Sequence, residues 1–146
     1  MPRYFTLGEA RAALPVVGRS IREAVQARAR YQEAEKVLQD LAQRILMMGG
    51  LCVDTASAEA WKTQYDSNAQ TLKTAMERIE EIGVLVKDLD IGLVDFPTLF
   101  HGEEVYLCWR MDEADIDHWH GTNEGFAGRK PIDRNFLDNH KGENPV

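Results

Sequence analysis

The 146-residue sequence has the length and composition of one globular domain, with 44% hydrophobic and 28% charged residues. Its formal net charge of −7 argues against a nucleic-acid-binding domain, because such a domain needs a basic surface to release counterions. The polar start MPRYFTLGEA contains no signal-peptide core, no apolar stretch is long enough to span a bilayer, and two cysteines are too few for a disulfide framework, so a cytoplasmic protein is predicted.

Charge is unevenly distributed along the chain. Residues 1–50 carry eight Lys and Arg against five Asp and Glu, whereas residues 51–146 carry nine against nineteen. On a predicted helix, Arg19, Arg22 and Arg30 form a mildly basic strip. A solvated helix face explains this strip without any partner, and RNA binding is the alternative interpretation.

The N-terminal part predicts a long helical region. Thr6 and Glu9 have the spacing of a capping box, in which the threonine caps the helix and the glutamate reaches back to it. Pro15 either ends a short first helix or stands in the first turn of the next one. From there to Met48 the apolar spacing is helical without interruption, and Gly49-Gly50 is expected to supply the C-cap.

A second helix is predicted after a loop from Leu51 to Ala56. It is capped by Thr55 or Ser57 and ends at Gly83. Its apolar face recurs every three or four residues, at Trp61, Tyr65, Ala69, Leu72, Met76, Ile79 and Ile82. Two such helices pack as an antiparallel hairpin, which cannot cover all of the apolar surface it carries. We therefore expect the C-terminal third, or a second copy of the chain in a homodimer through the helices, to cover the rest.

Strands are predicted in the last third of the chain. The β-prone runs are residues 84–86, 93–100 and 104–111. A turn at His101-Gly102 joins the last two, in a register whose paired residue numbers sum to 203, so that Asp95 faces Cys108. Pro97 has no amide hydrogen and is expected to restrict its strand to a sheet edge or a bulge.

These elements together predict an α+β fold. Residues 1–83 form a long antiparallel helical hairpin, and residues 84–139 form a small antiparallel β-meander with a short C-terminal helix and a loop. No internal repeat or low-complexity tract separates the two parts. Residues 1–139 are therefore expected to be a single domain, with residues 140–146 as a disordered tail.

The segment after the last predicted strand carries several candidate metal ligands. With Asp112 as N-cap, residues 112–120 form two predicted helical turns, on which Glu113, Asp117 and His120 share one stripe. Two carboxylates and an imidazole on one face suit a divalent metal or an acid/base cluster. Acidic residues in a first helical turn are also favoured by the helix dipole without any function, so a plain solvated helix is an open alternative.

A glycine-rich loop at residues 121–131 follows this segment. Its backbone amides, with the guanidinium of Arg129 beside them, are able to hold a carboxylate or a phosphate. The loop matches neither a P-loop nor a dinucleotide-binding fingerprint. Three glycines in a turn-rich loop also occur for conformational reasons alone.

Several short motifs are distributed over the chain. They are Phe5-Thr6-Leu7 with Ala12, Leu14 and Pro15, then Gly92-Leu93-Val94-Asp95-Phe96-Pro97, then Leu107-Cys108-Trp109-Arg110 with Glu113, and finally Trp119-His120 with Gly125-Phe126 and Gly128-Arg129. In these motifs the chain resembles a bacterial family catalogued as domain of unknown function 2203. The resemblance implies a fold and motif positions but no reaction. It draws attention to polar residues within apolar motifs, namely Asp95, Cys108, Arg110, Glu113, His120 and Arg129.

The first functional hypothesis is a small-ligand or divalent-metal site where the sheet, the predicted acidic helix and the glycine-rich loop meet. The metal, of the zinc, iron or manganese class, has as candidate ligands Glu113, His120, Asp117 and Cys108. The candidate ligand-binding residues are Asp95, Arg110, Trp109, Trp119 and Arg129. In this hypothesis Arg110 or Arg129 holds a small anionic ligand. A cysteine on its own is more often a small buried hydrophobe than a ligand.

The rival hypothesis is a non-catalytic interaction protein. Its helical hairpin dimerises or docks a partner helix, and the polar cluster only fixes the junction between hairpin and loop. The sequence identifies neither a reaction nor a substrate.

Overall fold

A computed structural model of the chain describes residues 3–47 and 55–141. Its described helices are Leu7–Met47 (α1), Thr55–Ile82 (α2) and Arg134–Asn139 (α3), with a 3₁₀ helix at Phe126–Gly128. Its described strands are Leu85–Asp88 (β1), Leu93–Phe100 (β2), Glu103–Arg110 (β3), His118–Gly121 (β4), Lys130–Pro131 (β5) and His140–Lys141 (β6). Among these helices none combines the length and the apolar character needed to cross a membrane.

Some of the sequence predictions concern residues outside the described ranges. They include the C-cap at Gly49-Gly50, the loop residues from Leu51 to Asp54, and residues 142–146 of the predicted tail. The other two residues of that tail, His140 and Lys141, form β6.

The chain divides into two compact units. The first consists of Met1–Arg22 with Met76–Val146, and the second of Glu23–Ala75. In the second unit Tyr31 of α1 stacks on Tyr65 of α2, with ring centroids 4.4 Å apart and hydroxyl oxygens 2.7 Å apart. The predicted pair of packed helices is thereby confirmed.

The start of α1 has the predicted capping box. The Glu9 amide donates to Thr6 Oγ1 at 3.1 Å, and the Thr6 amide donates to Glu9 Oε1 at 2.9 Å. The prediction for Pro15 is wrong, because α1 continues through that residue. Ala10 and Val17, on either side of the proline, are fully buried, and this packing outweighs the one helical hydrogen bond that a proline removes.

The first unit is built on an antiparallel sheet with the order β1-β2-β3-β4-β5, in which β6 also pairs with β2. The predicted register of β2 and β3 is confirmed, and Asp95 faces Cys108. His101 and Gly102 have φ values of 50° and 78°, as a two-residue type I′ turn requires. A two-residue turn therefore fixes the register of β2 and β3.

The position predicted for Pro97 is wrong, since β2 lies inside the sheet. On one side, β1 pairs with β2 only as far as Asp95, and β6 begins its pairing at Leu99. Between them the Pro97 carbonyl accepts a hydrogen bond from the Phe5 amide at 2.7 Å. The proline therefore occupies a gap between two partner strands, where no amide hydrogen is needed for the ladder.

The helix predicted over residues 112–120 is also wrong. Residues 111–115 form turns and bends, and His118–Gly121 is strand β4, paired with β3. The Glu113 amide donates to the Arg110 carbonyl at 2.9 Å, and the Glu113 carboxylate accepts from the Arg110 amide at 2.8 Å. Such local hydrogen bonds offer the backbone an alternative to the helix.

The short C-terminal helix of the predicted α+β fold is α3. The Asp133 carboxylate caps it by accepting from the Phe136 amide at 2.9 Å. Phe136 is fully buried, and its ring lies 5.1 Å from the ring of Phe100 and 5.0 Å from that of Trp119. The fold class is thus confirmed, with the helix later in the chain than predicted.

Candidate metal centre

Three buried polar side chains meet on strands β2, β3 and β4. Asp95 and Cys108 face each other across β2 and β3, and His120 is paired with Tyr106, two residues before Cys108. Residues two apart on a strand share a face of the sheet, so the three side chains converge. Their ligand atoms lie within 4.8 Å of one another, and Asp95, Cys108 and His120 are 1%, 0% and 4% exposed.

Both nitrogens of the His120 ring face oxygen acceptors. Nδ1 lies 2.8 Å from the Gly121 carbonyl oxygen, and Nε2 lies 3.0 and 3.1 Å from the two carboxylate oxygens of Asp95. A neutral imidazole carries one N–H and therefore satisfies only one of these acceptors. A cation bound at Nε2, with the Nδ1 N–H donating to the Gly121 carbonyl, would satisfy both contacts.

The thiol of Cys108 is not a free nucleophile. Burial raises its pKa to about 12, and the neighbouring Asp95 carboxylate contributes in the same direction. The thiol is therefore protonated at neutral pH, whereas nucleophilic attack requires the thiolate. A coordinating metal ion removes the thiol proton outright, so metal binding is the chemistry that would use this side chain.

The spacing of His120 and Asp95 is close to that of two ligands of a tetrahedral ion. With metal–ligand bonds of about 2.0–2.2 Å, two light ligand atoms of a tetrahedral zinc site lie about 3.3 Å apart. The His120 Nε2 and the Asp95 Oδ1 are 3.0 Å apart, so they need to separate by a few tenths of an ångström. Three protein ligands leave a fourth position open.

A cavity of about 170 Å³ adjoins the centre. Asp95 and His120 form part of its wall, together with Lys87 from β1, Tyr106 from β3 and Phe126 from the 3₁₀ helix. One water molecule takes up about 30 Å³ of liquid, so the space matches a ligand of a few non-hydrogen atoms. Lys87 was not singled out from the sequence, because an isolated exposed lysine carries no signal.

Glu113 and Arg129 form a separate cluster with His118. Arg129 Nη2 donates to both Glu113 carboxylate oxygens, at 2.8 and 2.7 Å, and lies 2.7 Å from His118 Nδ1. The side chains of Arg129 and Glu113 are 9% and 17% exposed. The Glu113 backbone carbonyl also accepts from Trp109 Nε1 at 3.1 Å. This cluster ties the turn after β3 to the glycine-rich loop.

Two other candidate residues are ion-paired with side chains that do not belong to the centre. Asp117 is an exposed carboxylate that lies 3.6 Å from the Arg11 guanidinium. Arg110 is ion-paired with Asp112, and this hydrogen bond lowers the pKa of the Asp112 carboxyl. The structure therefore brings Cys108 and His120 together with Asp95, and not with Glu113 or Asp117 as the sequence pattern indicated.

The two tryptophans named as candidates lie in packed surroundings. Trp109 is buried and donates to the Glu113 carbonyl. Trp119 packs against Phe100 and Phe136 at centroid distances of 5.0 Å, with Lys130 Nζ 4.7 Å above its ring. The contact between Trp119 and Phe136 joins the sheet to α3.

Comparison with known proteins identifies one family. The family model described as "Uncharacterized conserved protein (DUF2203)" matches residues 3–132. No curated protein and no solved structure matches the chain. The matched range includes Asp95, Cys108 and His120, and it ends before α3.

Proposed function

We propose that this chain, which belongs to the DUF2203 family of uncharacterised conserved proteins, binds a divalent metal ion through Asp95, Cys108 and His120. The observation that carries this proposal is the position of the buried His120 ring, whose Nε2 faces a carboxylate while Nδ1 is held by a backbone carbonyl. Metal-ligating histidines commonly have their second nitrogen fixed in this way.

The donor set favours a metal of the zinc or iron class. A thiolate, an imidazole and a carboxylate together suit ions that accept sulfur and nitrogen, whereas Mg²⁺ and Ca²⁺ prefer oxygen ligands only. Among the zinc-class ions, Zn²⁺ accepts all three donor types in tetrahedral geometry.

The proposal uses Asp95 in place of Glu113 and Asp117. The Glu113 carboxylate already binds Arg129 and the Arg110 amide. Transferring it to a metal would leave the buried Arg129 charge without its counterion, which is costly. Asp117 lies at the surface with Arg11.

We expect the metal-free full chain to bind one equivalent of Co²⁺, used as a spectroscopic substitute for Zn²⁺. The wild type should show the visible absorption of a tetrahedral site and a thiolate-to-cobalt charge-transfer band, because Cys108 is a ligand. Cys108→Ser should lose the charge-transfer band. His120→Ala should weaken binding by more than the roughly 10- to 100-fold typical of changes outside the ligand set.

Two control variants test whether other histidines and acidic residues contribute to metal binding. Asp117→Asn, which changes an exposed acidic candidate, should keep the stoichiometry and the spectrum. So should His101→Asn, which removes an exposed histidine from a turn that asparagine tolerates. Absence of cobalt binding by the wild type would overturn the proposal. Loss of binding in Asp117→Asn with retention in Cys108→Ser would assign the metal to the ligands indicated by the sequence pattern.

Metal binding is expected to release the Cys108 proton and to strengthen as pH rises. Because burial places the pKa of this thiol at about 12, the thiol keeps its proton throughout the neutral range until a metal displaces it. Its contribution is about a tenfold gain in affinity per pH unit. Calorimetric titrations in buffers of different ionisation enthalpy should show about one more proton released by the wild type than by Cys108→Ser. Equal release by the two proteins would exclude the thiol as a ligand.

If no metal binds, the remaining candidate function is the non-catalytic interaction scaffold. In the described part of the second unit, the side chains of Leu46 and Met47 at the end of α1 are 82% and 86% exposed. They are apolar surface of the kind that subunit contacts use. The homodimer through the helices and the cytoplasmic location stay predictions.

A further inference from the structure

We infer that the cavity beside the metal centre binds a small monocarboxylate anion at the open metal position, with Lys87 as the counter-charge. This inference rests on the proposed metal site and names the class of ligand for it. The argument depends on the charges around the cavity, on its size and walls, and on the partners of the neighbouring arginines.

The charges of the centre balance with one bound anion. A divalent ion held by the Asp95 carboxylate and the Cys108 thiolate forms a neutral group. A monovalent anion in the fourth position then adds one negative charge, and Lys87 on the cavity wall supplies one positive charge. The other acidic residue of the wall, Glu124, is already bound to Lys130 Nζ at 2.6 Å.

Lys87 is available for this role. Its Nζ lies 5.3 Å from the centroid of the Tyr106 ring, and the Tyr106 ring lies 5.5 Å from the ring of His120. Within residues 3–47 and 55–141 no ion pair joins Lys87 to an acidic side chain. The amine therefore lies against an aromatic residue of the cavity wall, with no acidic partner among the described residues.

The two arginines proposed from the sequence as anion-binding residues are engaged elsewhere. Arg129 is bound to Glu113 and Arg110 to Asp112. Their guanidinium carbons lie 4.7 and 5.1 Å from the Phe126 ring centroid, so they support a wall of the cavity. An anion in the cavity would find its free counter-charge at Lys87.

The size and the walls of the cavity select the shape of the anion. About 170 Å³ accommodates roughly five non-hydrogen atoms at the volume of a water molecule each. Leu93, Tyr106 and Phe126 present apolar surface to this space. A carboxylate with a short aliphatic chain satisfies the charge at one end and the apolar walls at the other.

The test is a titration of the cobalt-loaded full chain with sodium propionate at constant ionic strength. Propionate should shift the visible cobalt spectrum with saturation, because its carboxylate enters the fourth position. Propionamide, which has nearly the same shape without the charge, should not. In Lys87→Met the affinity for propionate should fall roughly 10- to 100-fold, as expected for the loss of a charge-assisted contact. Lys62→Met, which removes an exposed lysine of the second unit, is the matched control and should behave as the wild type.

The outcomes separate this inference from the proposed metal site. Stoichiometric cobalt binding without any effect of propionate would overturn the inference and leave the metal site standing. Failure to bind cobalt would overturn both. Equal propionate affinity in Lys87→Met and the wild type would exclude Lys87 as the counter-charge, and tighter binding of inorganic phosphate than of propionate would exclude the carboxylate class.

Discussion

Replacing Asp95 with alanine is expected to lower the free energy of unfolding of the metal-free protein by about 3–5 kcal/mol. The carboxylate is 1% exposed and faces His120 Nε2 at 3.0 Å. Its removal leaves a buried imidazole with an unpaired charge or an unmatched lone pair, and a buried group without its partner costs more than the pair itself contributes. Urea unfolding followed by circular dichroism measures the change.

A double variant shows whether Asp95→Ala loses stability because His120 is left buried without its hydrogen-bond partner. Asp95→Val combined with His120→Phe removes both polar groups, and it should recover most of the stability that Asp95→Ala loses. Asp117→Ala, which removes an exposed carboxylate, should change the free energy of unfolding by less than about 0.5 kcal/mol. A loss below about 1 kcal/mol in Asp95→Ala would show that the two side chains do not form a tightly coupled buried pair.

Replacing Phe136 with alanine is expected to cost a similar amount, about 3–5 kcal/mol. The ring is fully buried and stacks on Phe100 and His140, with centroid distances of 5.1 and 5.3 Å. Its loss opens a cavity over the sheet that the neighbouring rings fill only in part. The midpoint of urea unfolding should therefore fall sharply, with little change in the slope of the transition.

The neighbouring Leu137 provides the control for this variant. It lies on the same helix but is about half exposed, so Leu137→Ala should cost well under 1 kcal/mol. Equally small effects of the two substitutions would show that the Phe136 ring contributes little to the core of the first unit. The result also shows whether the core of the first unit depends on α3, which lies outside the residues 3–132 that the family model matches.

The parts of the fold that the sequence predicts correctly are those with strong local constraints. The two-residue turn at His101-Gly102 allows one register, and alternation along eight-residue strands identifies the faces of β2 and β3. The capping box at Thr6 is likewise a local pattern. Pro97 was misplaced because its environment depends on the lengths of β1 and β6, which no residue near the proline specifies.

The candidate site was predicted in part for the same reason. The facing pair of Asp95 and Cys108 follows from the β2–β3 register, and His120 was named as a ligand. What was missing was the strand that carries His120. β4 has four residues, which are too few to show the two-residue period of a strand. The acidic residues before it resemble the first turn of a helix. Placing Glu113 with His120 followed directly from that error.

The hydrogen bond between the Leu7 amide and His140 Nε2, 3.1 Å long, joins residues 133 positions apart in the chain. The histidine accepts a hydrogen bond from one of the amides at the start of α1, which have no partner within the helix. Its Nδ1 lies 3.2 Å from the Phe136 carbonyl oxygen. On the ribosome the amide end of α1 is made early, yet its partner is made more than a hundred residues later. The first unit therefore cannot close during most of its synthesis, and until α3 emerges the aromatic face around Phe100 stays open to chaperones and to aggregation.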